Sequence, residues 1–171
     1  GGNPLYLEAL LREAHDNGLP TDAEGARRVP RVGPASVAEA VLLRINAAHP
    51  RAPTLVRAVA VLGDGARLAE AAELADLPVE IAAEIVDVLV AQAILATAPG
   101  LEFAHPIVRE AVYGDLGPGH RAVEHARAAR VLAAAGAADE RVAAQLVEAE
   151  PVGDGARVTF LQRVAAADLN R

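Results

Sequence analysis

Apolar residues recur three and four positions apart along most of the chain, the spacing of one helix face. Leu7, Leu10, Leu11 and Ala14 form the first such face. Asn3-Pro4 opens it with a good cap and a proline at the first helical position, and Gly18 ends it. Residues 18–35 hold three prolines and three glycines and read as a linker. Ser36-Val37-Ala38-Glu39 has the capping-box pattern and starts a second helix with Val37, Val41, Leu42 and Ile45 inward. That helix stops near His49-Pro50. Further helices are expected over 54–63 (Leu55, Val56, Val59 and Leu62 inward) and over 67–76. The helix over 78–91 should bury Ile81, Ile85, Val88 and Leu89.

The pattern then changes. "ILATAPGLEFA", residues 94–104, reads as two short strands around the turn dipeptide Pro99-Gly100. His105-Pro106 opens the next helix, which carries Ile107, Val108, Ala111 and Val112 on one side and ends at Gly117-Pro118-Gly119. Amphipathic alanine-rich helices follow over 120–135, 139–149 and 155–169, as in an antiparallel helical array. Three helices followed by a hairpin is the order of a winged helix. The expected class is therefore mainly α: a helix and linker over 1–35, a winged-helix domain over 36–117, and the start of a tetratricopeptide-like array over 118–171.

Composition sharpens this. Hydrophobic residues make up 53% of the 171, yet aromatics only 2%. The core must be built from Ala, Val, Leu and Ile, and alanine favours helix most strongly. There is no cysteine, so disulfides and thiolate chemistry are excluded. All 16 basic residues are arginine, and the net charge of −7 opposes generic nucleic-acid binding. No apolar run approaches the roughly 18 residues of a membrane span, and no signal peptide is visible, so a cytoplasmic location with no membrane partner is expected. With no methionine anywhere, residue 1 is not a native start, and a piece of a longer protein is expected.

Catalytic patterns are missing. There is no GxxxxGK[ST] loop and no HExxH, and the one serine, Ser36, reads as a cap. His120 and His125 are five apart, about 140° around a helix, and are expected to be solvated. An independent enzyme is not expected, nor a metal or a cofactor bound by this stretch alone. The helix over 78–91 would be the DNA-reading helix of a winged helix, but its polar face carries Glu80, Glu84 and Asp87 and no base. Arg27, Arg28 and Arg31 in the linker remain as phosphate contacts for a chain that reads DNA directly. His105 has two readings. It caps a helix before proline, or it faces an anion at the helix mouth, where unpaired amides such as those of Ile107 and Val108 and the dipole favour negative charge. Asn3-Pro4 reads as a cap, with Gly1 and Gly2 leaving room for close approach of a ligand.

In combination these segments resemble a known family. "GGNPLYLEALLREA" is similar to the Gly-x-Pro element opening the helical lid behind the nucleotide-binding domain of STAND-class ATPases. "LVRAVAVLG", "AELADLPVEIAAEIVDVLVAQAIL" and "LEFAHPIVREAVYGDL" resemble the winged helix of large ATP-binding regulators of the LuxR family, and "HRAVEHARAARVLAAAGAADERVAAQLVEAE" the start of their helical array. The resemblance spans nearly the whole chain and implies a switch module, with an ATPase domain before Gly1 as its intramolecular partner and a DNA-binding helix-turn-helix beyond Arg171. It implies ADP or ATP bound by the longer protein, and an inducer or protein partner on the array. A Met-His-Asp motif in related proteins contacts the ADP β-phosphate. Ala104-His105-Pro106 falls at that place, keeping the histidine and departing at both flanks. Gly2 and Pro4 would lie near the nucleotide by the same resemblance.

Overall fold

Prolines and glycines mark where the helices begin and end. The computed structural model of the chain describes residues 34–97, 99–150 and 155–168. Among them are eight helices: α1 (Pro34–Ala48), α2 (Ala52–Leu62), α3 (Leu68–Leu74), α4 (Val79–Ala91), α5 (Pro106–Asp115), α6 (Pro118–Ala134), α7 (Asp139–Glu148) and α8 (Gly155–Asp168). Two short strands, β1 (Leu95–Ala96) and β2 (Glu102–Phe103), lie between α4 and α5. The mainly helical class expected from alanine content and periodicity is the class observed. The helix expected over 3–18, Gly2 and Pro4, and the linker residues Arg27, Arg28 and Arg31 lie outside the described residues. Pro34 and Ala35, expected in the linker, already belong to α1. Ser36 is thus in the first turn rather than at the cap, because proline's fixed φ suits it to start a helix.

The hairpin is antiparallel, with Leu95 opposite Phe103 and Ala96 opposite Glu102. A third segment joins it. Leu101 donates to the carbonyl of Ala66 at 2.8 Å and accepts from the Gly65 amide at 3.1 Å. The link between α2 and α3 is thereby tied to the hairpin. Gly100 is required here by proximity rather than by turn geometry: a Cβ on it would sit 2.8 Å from the Gly65 carbonyl.

Three helices end in one way. Leu77 donates to Ala72, Ile94 to Leu89 and Ala137 to Leu132, each at 2.9 or 3.0 Å. This is the reversed closure of a Schellman motif, which needs a left-handed residue just before the donor. Asp76 (φ 55°), Ala93 (φ 53°) and Gly136 (φ 65°) fill that place. Glycine suits it and aspartate tolerates it, but alanine is strained there. Ala93→Gly is expected to stabilise the fold by about 1 kcal/mol, read as a higher urea midpoint with an unchanged slope.

One continuous cluster of buried apolar residues runs from Val41 and Ile45 on α1 through α2 to α5 and on to Leu132 on α6 and Val142 on α7. α6 packs against α2, α3 and α7, so this core crosses the Gly117 link. The inward face of α4 differs from expectation. Ala82, Ile85, Val86 and Leu89 are buried, whereas Ile81 and Val88 are 36% and 38% exposed. Apolar residues cover more than half of this helix, so its periodicity alone does not fix the centre of the buried face. Packing against α2 and α3 does.

Candidate functional site

His105 sits where β2 hands over to α5. Its backbone is extended (φ −151°, ψ 139°), and its Nδ1 accepts from the Ile107 amide at 3.3 Å. The Val108 amide donates to the His105 carbonyl at 3.0 Å, and the Ala104 amide to Ile94 at 3.1 Å. The helix mouth is therefore anchored to the hairpin. The two amides expected to face an anion are both occupied, because the histidine and its own carbonyl supply the cap. What remains is specific. An Nδ1 that accepts leaves the neutral ring its proton on Nε2, a single donor on an exposed residue at the positive end of the helix. Arg109, one turn into α5, is committed elsewhere: it donates to Ala60 at 3.3 Å and lies 5.6 Å from the centre of the Tyr113 ring.

The two histidines of α6 separate. His120 is exposed, with Nε2 3.9 Å from Glu124. His125 is only 5% exposed, which corrects the expectation that both are solvated. Its Nε2 lies 2.8 Å from the Tyr113 hydroxyl and its Nδ1 2.7 Å from Gln145 Oε1. Gln145 in turn donates from Nε2 to the Val61 carbonyl at 3.1 Å. With the amide nitrogen spent on Val61, Gln145 presents oxygen to the ring, so His125 donates from Nδ1 and its Nε2 shares a hydrogen bond with the Tyr113 hydroxyl. Helices α2, α5, α6 and α7 meet through these three side chains. The signal was present in the sequence: His125 shares the apolar stripe of Ala128, Ala129 and Leu132.

Glu70 is a second buried polar centre, 2% exposed. Its two oxygens accept from Arg141 NH1 and NH2, each at 3.0 Å, from Arg67 Nε at 2.7 Å and from the Arg67 amide at 3.0 Å. Burial works to raise its pKa. The Arg141 pair, the Arg67 amide and the Arg67 side chain outweigh it and hold the carboxyl down at about 2. The Arg67–Glu70 half is a local cap of α3, and Arg141 ties that cap to α7.

Outside these centres the face of α4 opposite the core is acidic. Glu80, Glu84 and Asp87 are exposed, and their carboxylates form no hydrogen bond or ion pair among the described residues. Between α3 and α6 lies a groove of about 650 Å³ lined by Arg67, Arg127, Arg130 and Glu73 over Val131 and Ala134. Comparison with protein-family models, with curated proteins and with solved structures finds no match in any of the three.

Proposed function

We propose that this chain is a non-catalytic switch module of a larger ATP-dependent regulator of the LuxR type. It would couple the nucleotide state of an upstream ATPase domain to a helical array and a downstream DNA-binding domain. Residues 36–117 would hold its winged-helix domain. The reading is supported by the order α2, Ala66 bridge, α3, α4, hairpin, in which the bridge would stand for the first strand of a winged helix. α6, α7 and α8, packed in succession, would begin the tetratricopeptide-like array.

The observation that carries the proposal is the single ring donor left by the His105 cap at an exposed helix mouth. A β-phosphate there would accept from Nε2 and sit at the positive end of α5, favouring the state in which ADP and this module touch. In the full-length protein, His105→Ala is expected to speed ADP release roughly tenfold, the worth of one charge-assisted hydrogen bond. His105→Asp should do at least the same while keeping a good cap, because its charge opposes the phosphate. An ADP off-rate unchanged in both variants rejects the proposal.

The same module would not read DNA through α4. Carboxylates at 80, 84 and 87 face the side a recognition helix offers to phosphates and base edges. Labelled duplex DNA titrated with this chain at low salt should show no rise in anisotropy. A rise that collapses as salt is added would instead favour direct DNA binding.

A further inference from the structure

α1 and α5 pack together, and between them runs an open groove of about 450 Å³. Its apolar part is Ala38, Leu42 and Leu43 of α1 with Ala111 of α5. Leu43 is 64% exposed, so much of that apolar surface is uncovered. Its charged part is acidic throughout: Glu39, Glu110 and Asp115 line it, and no arginine does. Asp115 is paired with Arg57 at 2.9 Å. Glu39 and Glu110 are exposed, and among the described residues their carboxylates form no hydrogen bond or ion pair. The groove starts one turn into α1, beside the point where the preceding chain enters that helix at Pro34. The preceding stretch has the opposite charge. Residues 25–33, "GARRVPRVG", carry Arg27, Arg28 and Arg31, and no carboxylate occurs from Gly25 to Ala38. Val29, Pro30 and Val32 interleave with those arginines.

We infer that residues 26–32 fold back along the α1–α5 groove of their own chain. Val29 and Val32 then cover Leu42, Leu43 and Ala111, and the arginines meet Glu39 and Glu110. Charge, tether and reach select this occupant. Two unpaired carboxylates in a groove without bases face three arginines in a stretch without acids. The stretch is tied to the groove at Pro34, so it arrives at an effective concentration that no free partner matches. From Val29 to Pro34 an extended chain spans about 17 Å, and from Pro34 to Leu43 the helix rises about 14 Å. Pro30 and Pro34 bias the residues before them to extended backbone, and Gly33 permits the reversal. The acidic face of α4 offers unpaired carboxylates as well, but no such tether leads to it. Each exposed ion pair is weak, so the contact depends on the tether and is salt-sensitive.

The chain has no cysteine, so a pair of introduced thiols reports contact without background. Val29→Cys combined with Leu43→Cys is compared with Val29→Cys combined with Val88→Cys on α4, in the full chain at low concentration with oxidised glutathione. Leu43 and Val88 are both exposed, so neither replacement opens the core. The Leu43 pair should close within one chain roughly tenfold faster or more, and added salt should narrow the difference. Glu39→Arg with Glu110→Arg should slow the Leu43 pair toward the rate of the Val88 pair. Arg28→Glu with Arg31→Glu should do the same, because like charges then face each other. All four reversals together should restore the fast rate, which a general loss of folding would not produce. Equal rates for the two pairs overturn the inference, as does faster closure at Val88 or a disulfide that joins two copies. So does closure untouched by either set of reversals, or a fourfold variant that fails to recover.

Discussion

Glu70→Ala is expected to destabilise the fold by about 3–5 kcal/mol, as breaking one side of a buried ion pair does. Three losses combine. The Arg67 amide loses its capping acceptor, Arg141 loses both of its carboxylate bonds, and the cavity left beneath α3 is lined by groups that had been paired. Arg141 keeps 35% of its side-chain exposure and regains some hydration, which places the result toward the lower end. A loss of this size is a large part of the 5–15 kcal/mol that holds a typical domain. Urea denaturation of wild type and variant at neutral pH measures it. The same pairing has a pH signature. A carboxyl at 4.5 when unfolded and at about 2 when folded adds stability that is fully present above pH 4.5. That contribution, about 3 kcal/mol, drains away as pH falls from 4.5 toward 2. Glu70→Gln should therefore flatten the acid limb of the stability curve as well as lower its plateau. An acid limb of unchanged steepness would assign the loss to other carboxylates.

His125→Ala is expected to cost about 2–4 kcal/mol. Removing a buried ring leaves a cavity, and it leaves Gln145 Oε1 and the Tyr113 hydroxyl without partners in a low-dielectric interior. The effect should be local as well as global. Gln145 reaches the Val61 carbonyl at the end of α2 while its oxygen is held by His125. Amide exchange should therefore quicken in α7 and the last turn of α2 before it quickens in α4. A double-mutant cycle with Gln145→Ala should show coupling of about 1 kcal/mol or more. Additive losses would mean that the two side chains act as separate fillers.

The helices of this chain were legible because their ends carry chemistry that a single sequence displays. Pro78, Pro106 and Pro118 open helices, and Gly63 and Gly136 close them. Boundaries moved by a residue or two where proline at position 34 outweighed the serine cap. The inward face of α4 was only partly legible, since Val79, Ile81, Ile85, Val86, Val88, Leu89 and Val90 spread over more than half of the helix, opposite Glu80, Glu84 and Asp87. Only the neighbours decide which of them are buried. Of the polar centres, the Arg67–Glu70 half is local and readable at a spacing of three. Arg141 arrives from 71 residues away and leaves no trace in the pattern. His105 was legible as a cap and a candidate donor together. The structure adds which ring nitrogen the cap consumes, and hence which one is left.

The apolar core that crosses Gly117 makes one body of the helices on either side of it. With Leu132 and Val142 in the same cluster as Val41 and Leu55, α5 cannot tilt without disturbing the packing of α6 and α7. α6 is held against α2 and α3, and the bond from Arg67 to Ala135 pins its far end. Parting the two halves would expose Leu132, Val142 and the residues they cover to water together.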